Sequence, residues 1–329
     1  MVLHADVGRE SGWGHFGECL TLGAALRRLR VEPAFIIPTR EPAAARVLRS
    51  EGYRFHTAPR AWWQRRDRVS LDRLFDRAAG SLVVADLVTL TADYARVAKK
   101  RTAGLAVITE HVAEERGALN FNISLCPELM PLHQVYQRPP QRRIKHAVGR
   151  VLVCFGGSDP KNCTGLTLEM LRQGFERSLL PRTFRIDVVC GPLFKHARAI
   201  RAMIASYPVP VSVIGPLTPA MLARRARAAD LAITTGGGTM YEFCATGLPS
   251  IVVPVLDKMT ANAGVLAKRG AVVVTARADR LASEGLVDAV RSLLAPPARR
   301  RIAAAARSTV DGGGADRMAA GLVKRWPLA

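Results

Sequence analysis

The sequence predicts an α/β protein of two similar halves, each an open parallel sheet flanked by helices, with a cleft between them. Three observations lead there. Short β-rich runs alternate with helical patterns from the first residues onward, as in repeated βαβ units. The alternation stops at a basic, proline-bearing stretch, Tyr136 to Arg150, and then restarts, which marks an interdomain connection. The composition, 49% apolar with only 6% aromatic residues, suits layers assembled from Val, Ile, Leu and Ala. A chain of 329 residues fits two domains at roughly 150 residues each, and the expected boundaries are 1–142 and 150–329.

In the first half "MVLHAD", "PAFIIP", "YRFHTA", "SLVVADL" and "GLAVIT" read as strands. "CLTLGAALRRL", "EPAAARVLRSEG", "LDRLFDRAAG" and "TADYARVAKKR" carry helical spacing between them. The second half repeats the scheme with "RVLVCF", "FRIDVVCG", "VPVSVIG", "DLAITT", "LPSIVVPVL" and "AVVVTA" as strands. "LASEGLVDAVRSLLA", "PPARRRIAAAARSTV" and "DGGGADRMAAGLVKRW" add helices near the end, the last a candidate to cross back onto the first half.

The formal net charge of +21 points to anionic partners in general. Base-stacking aromatics are not interleaved with the arginines, and no helix-turn-helix, RNP or zinc-finger pattern occurs, so no specific nucleic-acid partner is expected. The Trp pair in "AWWQRRDR" reads as a packed loop. Weak contact with an anionic membrane surface is left open. No apolar run is long enough to span a bilayer and no signal-peptide pattern opens the chain, so a cytoplasmic protein is expected. The six cysteines form no C-x-x-C pair and the histidines no H-x-x-x-H pair. Reduced, mostly buried thiols follow, with neither metal nor cofactor expected. Nothing in the sequence speaks to oligomeric state.

Two glycine-rich segments follow strand ends where ligands of open α/β sheets bind. In "HADVGRESGWGHFGECL" the glycines, Gly12 and Gly14 among them, surround His15 on a strand-to-helix turn, with the helix read from Glu18. The spacing fits neither a dinucleotide fingerprint nor a P-loop, which leaves another kind of site or only a tight turn. In "DLAITTGGGTMYEFCATGLPSIVVP" a buried strand runs into Gly236, Gly237 and Gly238, with Thr239 as the expected cap of a short helix. Glycines admit close approach of an anion and a helix N-terminus attracts it, so a diphosphate is the natural guest. Glu242, about one turn in, is placed to accept hydrogen bonds from both hydroxyls of a ribose. "VLVCFGGSDPKN" supplies a further loop with Gly156, Gly157, Ser158 and Asp159, ordinary turn chemistry that gains weight as part of a two-loop site.

"GWGHFGECLTLGAAL", "VLVCFGGSDPKNCT", the G-G-G-T-x-x-E block and "VDGGGADR" stand in the order found in the UDP-sugar hydrolases of pseudaminic acid biosynthesis. The chain resembles that family over nearly its whole length, most strongly after Arg150. The G-G-G-T-x-x-E block is similar more widely to GT-B glycosyltransferases, such as the one that adds N-acetylglucosamine to lipid-linked muramoyl peptide. The resemblance implies a GT-B fold of two Rossmann-like domains and a UDP-sugar substrate. It implies that His15 is the active-site histidine, Glu242 the ribose ligand and the glycine loop the diphosphate cradle. Asn262 in "TANAGVLAKRGA" matches an asparagine that follows the family's D-N-Q segment. Here that segment reads Asp257-Lys258-Met259, and the first half also departs: His4 stands for an arginine, Glu18 for another, and "TEH" from Thr109 for an acidic pair.

On this reading His15 acts as general base toward a water at the anomeric carbon, and the Gly236–Thr239 loop takes the charge that develops on the departing diphosphate. Asp6, at the end of the first strand, either orients His15, binds sugar hydroxyls or caps the turn. Hydrolysis to free sugar and UDP is the expected reaction. A glycosyltransferase acting on an acceptor hydroxyl is the alternative, and a silent UDP-sugar-binding protein a third.

Overall fold

The computed structural model describes residues 1–8, 12–64, 68–109, 117–137 and 139–327. Two parallel sheets carry the fold. The first consists of β1 (Val2–Ala5), β2 (Ala34–Pro38), β3 (Arg54–Ala58), β4 (Leu82–Asp86), β5 (Gly104–Thr109) and β6 (Leu119–Asn122), in the order β3-β2-β1-β4-β5-β6. The second consists of β7 (Arg150–Cys154), β8 (Arg185–Val189), β9 (Val211–Ile214), β10 (Leu231–Thr234), β11 (Ser250–Val252) and β12 (Val273–Val274), in the order β12-β11-β10-β7-β8-β9. Counted from its own first strand, each sheet has the 3-2-1-4-5-6 order of dinucleotide-binding folds. Central strands such as β4 and β10 are buried at every residue, because parallel strands with helices on both faces need apolar side chains on both.

The helices of the first region are α1 (Gly14–Arg28), α2 (Pro42–Ser50), α3 (Ala61–Gln64), α4 (Arg68–Asp76) and α5 (Ala92–Arg101). Those that follow are α6 (Cys163–Glu176), α7 (Ala197–Ile204), α8 (Pro219–Ala228), α9 (Gly238–Ala245), α10 (Asp257–Lys268), α11 (Ser283–Ser292), α12 (Pro296–Thr309) and α13 (Gly314–Arg325). The chain divides into two compact units, Met1–His133 with Gly313–Ala329, and Gln134–Gly312. α13 therefore returns to the first unit, where it packs along α1 and Arg28 pairs with Asp316.

The proline-bearing stretch after Tyr136 is tied down by arginine side chains, one reaching its carbonyls and one reaching out from it. Arg307 donates to the carbonyls of Pro139 and Pro140 at 3.0 and 2.8 Å. Arg142 donates to the carbonyls of Ala229 and Thr246 at 2.6 and 3.2 Å, and burial pushes its pKa down to about 10.

Part of the basic excess thus ties the second unit together from within.

The Trp pair lies on α3 rather than in a loop, and Trp63 enters the core, edge-on to His4 with ring centroids 4.6 Å apart. His4 is itself fully buried, bonded through Nδ1 to the Tyr94 hydroxyl at 2.8 Å, and burial pushes its pKa down to about 3. Burial thus keeps the His4 ring neutral near pH 7.

Candidate functional site

In a sheet of this order the crevice lies where the strand order reverses, between β1 and β4 in the first unit. Asp6, just past β1, and Asp86, the last residue of β4, meet there, and the Asp6 N–H donates to the Asp86 carbonyl at 3.0 Å. α1 starts at Gly14, four residues earlier than its sequence suggests. His15 therefore belongs to the first turn of the helix and not to the turn before it. Gly14 and Gly17 obscure the start because glycine is a poor helix former. Between β1 and α1, Gly8 and Gly12 close a small bridge with mutual N–H···O bonds of 3.1 and 2.8 Å, and Gly12 adopts φ +73°.

His15 Nδ1 lies 2.6 Å from Asp86 Oδ1. The Asp86 side chain is buried, so it holds the ring firmly. The His15 side chain keeps 17% of its surface exposed. A carboxylate on Nδ1 selects the tautomer with its proton there, which makes Nε2 the acceptor nitrogen of the ring. The group that orients His15 is thus Asp86 and not Asp6. Asp6 is buried and paired with Arg60, whose Nε donates to Oδ1 at 2.9 Å while Nη2 reaches the Val7 carbonyl at 2.6 Å. The sequence does not single out Asp86, because "VVAD" reads as strand alone. An aspartate closing an apolar strand beside the reversal point was the available signal. Of the "TEH" segment, Glu110 and His111 lie outside the described residues.

In the second unit the reversal lies between β7 and β10, and both predicted loops follow those strands. After β7, Gly156 takes φ +82°, and Gly157 and Ser158 are exposed. Asp159 serves the helix that follows. Its two carboxylate oxygens accept the N–H groups of Cys163 and Thr164, each at 2.8 Å, and so cap α6. Asp159→Ala strips both acceptors and should cost about 1–2 kcal/mol of stability, read as a lower melting temperature, with Asp159→Asn intermediate.

After β10, Gly236 is buried, Gly237 partly open and Gly238 exposed. α9 begins at Gly238 with Gly237 as N-cap and no side-chain cap, so Thr239 lies in the first turn instead of capping it. A glycine cap leaves the opening N–H groups of the helix for an anion. Gly236 serves packing. A Cβ there would stand 2.5 Å from the Met259 carbonyl oxygen and 2.9 Å from Met259 Cβ. Met259 also receives the Thr235 hydroxyl on its sulfur at 3.3 Å. The residue that replaces the expected amide thus buttresses the glycine loop from behind. Gly236→Ala should displace α10 at a cost of about 1–3 kcal/mol, read as a lower melting temperature.

Glu242 lies on α9 with its side chain only partly exposed. Desolvation pushes its pKa up to about 7, and a hydrogen bond from Tyr136 pulls the other way. The Tyr136 hydroxyl also lies 3.4 Å from the Pro219 carbonyl, but its single proton favours the charged acceptor. Asn262 is buried on α10.

Residues 214–316 match the Glycosyltransferase family 28 C-terminal domain. That span contains Gly236 to Thr239, Glu242 and Asn262. The spore coat polysaccharide biosynthesis protein SpsG of Bacillus subtilis (strain 168) is 27% identical over 205 residues, 61% of this chain and 58% of that protein. The UDP-N-acetylglucosamine–N-acetylmuramyl-(pentapeptide) pyrophosphoryl-undecaprenol N-acetylglucosamine transferase of Phenylobacterium zucineum (strain HLK1) is 39% identical over 104 residues, 30% of this chain and 28% of that one. Both matches span less than two thirds of the relative's own length. Among solved structures, MurG of Acinetobacter baumannii superposes with a TM-score of 0.72 at 16% identity, covering 99% of each chain. MnaA of S. aureus, solved with UDP, gives 0.65 at 12% identity, covering 100% of this chain and 97% of that one. The chain has the GT-B fold of two Rossmann-like domains.

Proposed function

We propose that the protein uses a UDP-sugar as glycosyl donor, with UDP held by the glycine loops of the second unit and His15 as general base. The observation that carries this is the His15–Asp86 pair at the reversal point of the first sheet, a buried carboxylate that fixes a partly exposed imidazole through Nδ1. The attacking oxygen forms its bond to the anomeric carbon as the bond to the diphosphate oxygen breaks. The electron pair leaves with UDP, and the proton of the attacking group passes to His15 Nε2. The α9 N-terminus stabilises the charge that gathers on the diphosphate. Ionised Glu242 accepts the two ribose hydroxyls.

The match of residues 214–316 to a glycosyltransferase domain and the similarity to a polysaccharide biosynthesis protein support an acceptor hydroxyl as attacking group. Hydrolysis is the second reading, favoured by the G-x-G-H turn and the F-G-G-S-D loop, which resemble the UDP-sugar hydrolases. One assay separates them. Purified protein is incubated with a panel of UDP-sugars, with and without sugar acceptors, and free UDP is followed. Release that requires an acceptor supports transfer, whereas release into water alone makes the protein a hydrolase. UDP-sugar binding with no release under either condition would sink both.

A further inference from the structure

The first two turns of α1 and the end of β4 bring three ligand-type side chains together. His15, Glu18 and Asp86 each offer one donor atom, and those atoms all lie within 4.8 Å of one another. His15 and Glu18 are three residues apart on one face of α1, and Asp86 comes from the strand beside it. Glu18 and Asp86 are buried. The second oxygen of Asp86, Oδ2, is buried and meets no hydrogen-bond donor among the described residues. A buried carboxylate oxygen left without a donor is costly, and a cation bound at this cluster would satisfy it.

We propose that His15, Glu18 and Asp86 form a binding site for one divalent transition cation of the Zn²⁺, Co²⁺ or Mn²⁺ class. One imidazole nitrogen and two carboxylate oxygens are a donor set these ions accept, whereas Mg²⁺ and Ca²⁺ prefer oxygen alone. The open edge at His15 gives an entry path and room for water as a further ligand. The ion takes the Nδ1 lone pair in place of the contact with Asp86, so the imidazole proton moves to Nε2. A consequence rests on the proposed function: with Nε2 protonated and the ion on Nδ1, His15 has no lone pair left to act as base. Cation and substrate then compete for one imidazole, and the cation inhibits turnover.

The sequence hid this site because its histidine and glutamate are spaced H-x-x-E, not H-x-x-x-H, and the third ligand lies 71 residues from the first. The test is calorimetric titration of chelator-treated protein with Co²⁺, followed also by visible d–d absorption, for wild type, Glu18→Gln and Asp86→Asn. One saturable site in wild type, weakened about 10-fold or more in either variant, is the expected result, with melting curves confirming that the variants are folded. Absent saturable binding in folded wild type, or equal binding in all three proteins, overturns the site. Neither readout needs a substrate, so failure here and failure of the UDP-sugar reading are told apart.

Discussion

His15→Ala is expected to lower UDP release by about 10²- to 10⁴-fold, the range for removing a general base, while leaving UDP affinity within a factor of about two. The split follows from the fold. His15 belongs to the first unit, and the residues assigned to UDP belong to the second. A loss confined to kcat is therefore the mark of a group that meets the attacking oxygen. Asp86→Asn should fall in the same direction for another reason. A carboxamide at that position can present its N–H₂ to Nδ1, which stabilises the tautomer with the proton on Nε2 and blocks proton uptake there. The variant keeps its ring in place but in the wrong protonation state, so its rate should recover little as pH rises. Rate measurements from pH 5 to 9 on both variants check this. A His15→Ala protein that turns over at the wild-type rate would remove the histidine from the reaction altogether.

The fold was legible because its causes are local and repeated. Apolar runs such as "LVVAD" and "LAIT" must be buried on both faces, and helices between them force parallel pairing. The glycine loops follow β7 and β10 for the same reason, since a loop after a central strand goes where that strand ends. What the sequence hid was partnership. Asp86 and His15 are 71 residues apart, and only the pairing of β1 with β4 brings them together. Asp159 was read as a ligand because an acidic residue after two glycines is equally at home in a binding loop and as a helix cap, and the two differ only in where the next N–H groups point. Met259 looked like a loss of chemistry. Its contacts with Gly236 and Thr235 show that the position also carries packing.

Glu242→Gln is expected to weaken UDP binding by about 10- to 100-fold at pH 8, the loss for hydrogen bonds to a charged acceptor at roughly 1.5–3 kcal/mol, and at the same pH to raise the melting temperature. The opposed effects share one cause. The Glu242 carboxyl has its pKa pushed up to about 7 in the folded protein by desolvation, from an ordinary value of 4.5. Between those two values the folded state holds a proton that the unfolded state has released, so stability falls as pH rises through the interval. Above pH 7 the carboxylate is ionised in both states and the folded protein bears the whole penalty; below about 4.5 it bears none. Glutamine carries no such penalty, can accept the Tyr136 hydroxyl through its carbonyl, and should match wild type in stability at pH 4.5 while exceeding it at pH 8. Binding runs the other way. Ribose hydroxyls are best received by the ionised form, so wild-type affinity for UDP should climb from pH 6 to pH 8, and that climb should flatten in the variant. Calorimetry and melting curves at the same set of pH values test both halves. A variant less stable than wild type at pH 8 would show that the carboxylate is held by its surroundings and not opposed by them. As proposed, Glu242 is a group kept against the stability of α9 because its charge is what receives the nucleotide.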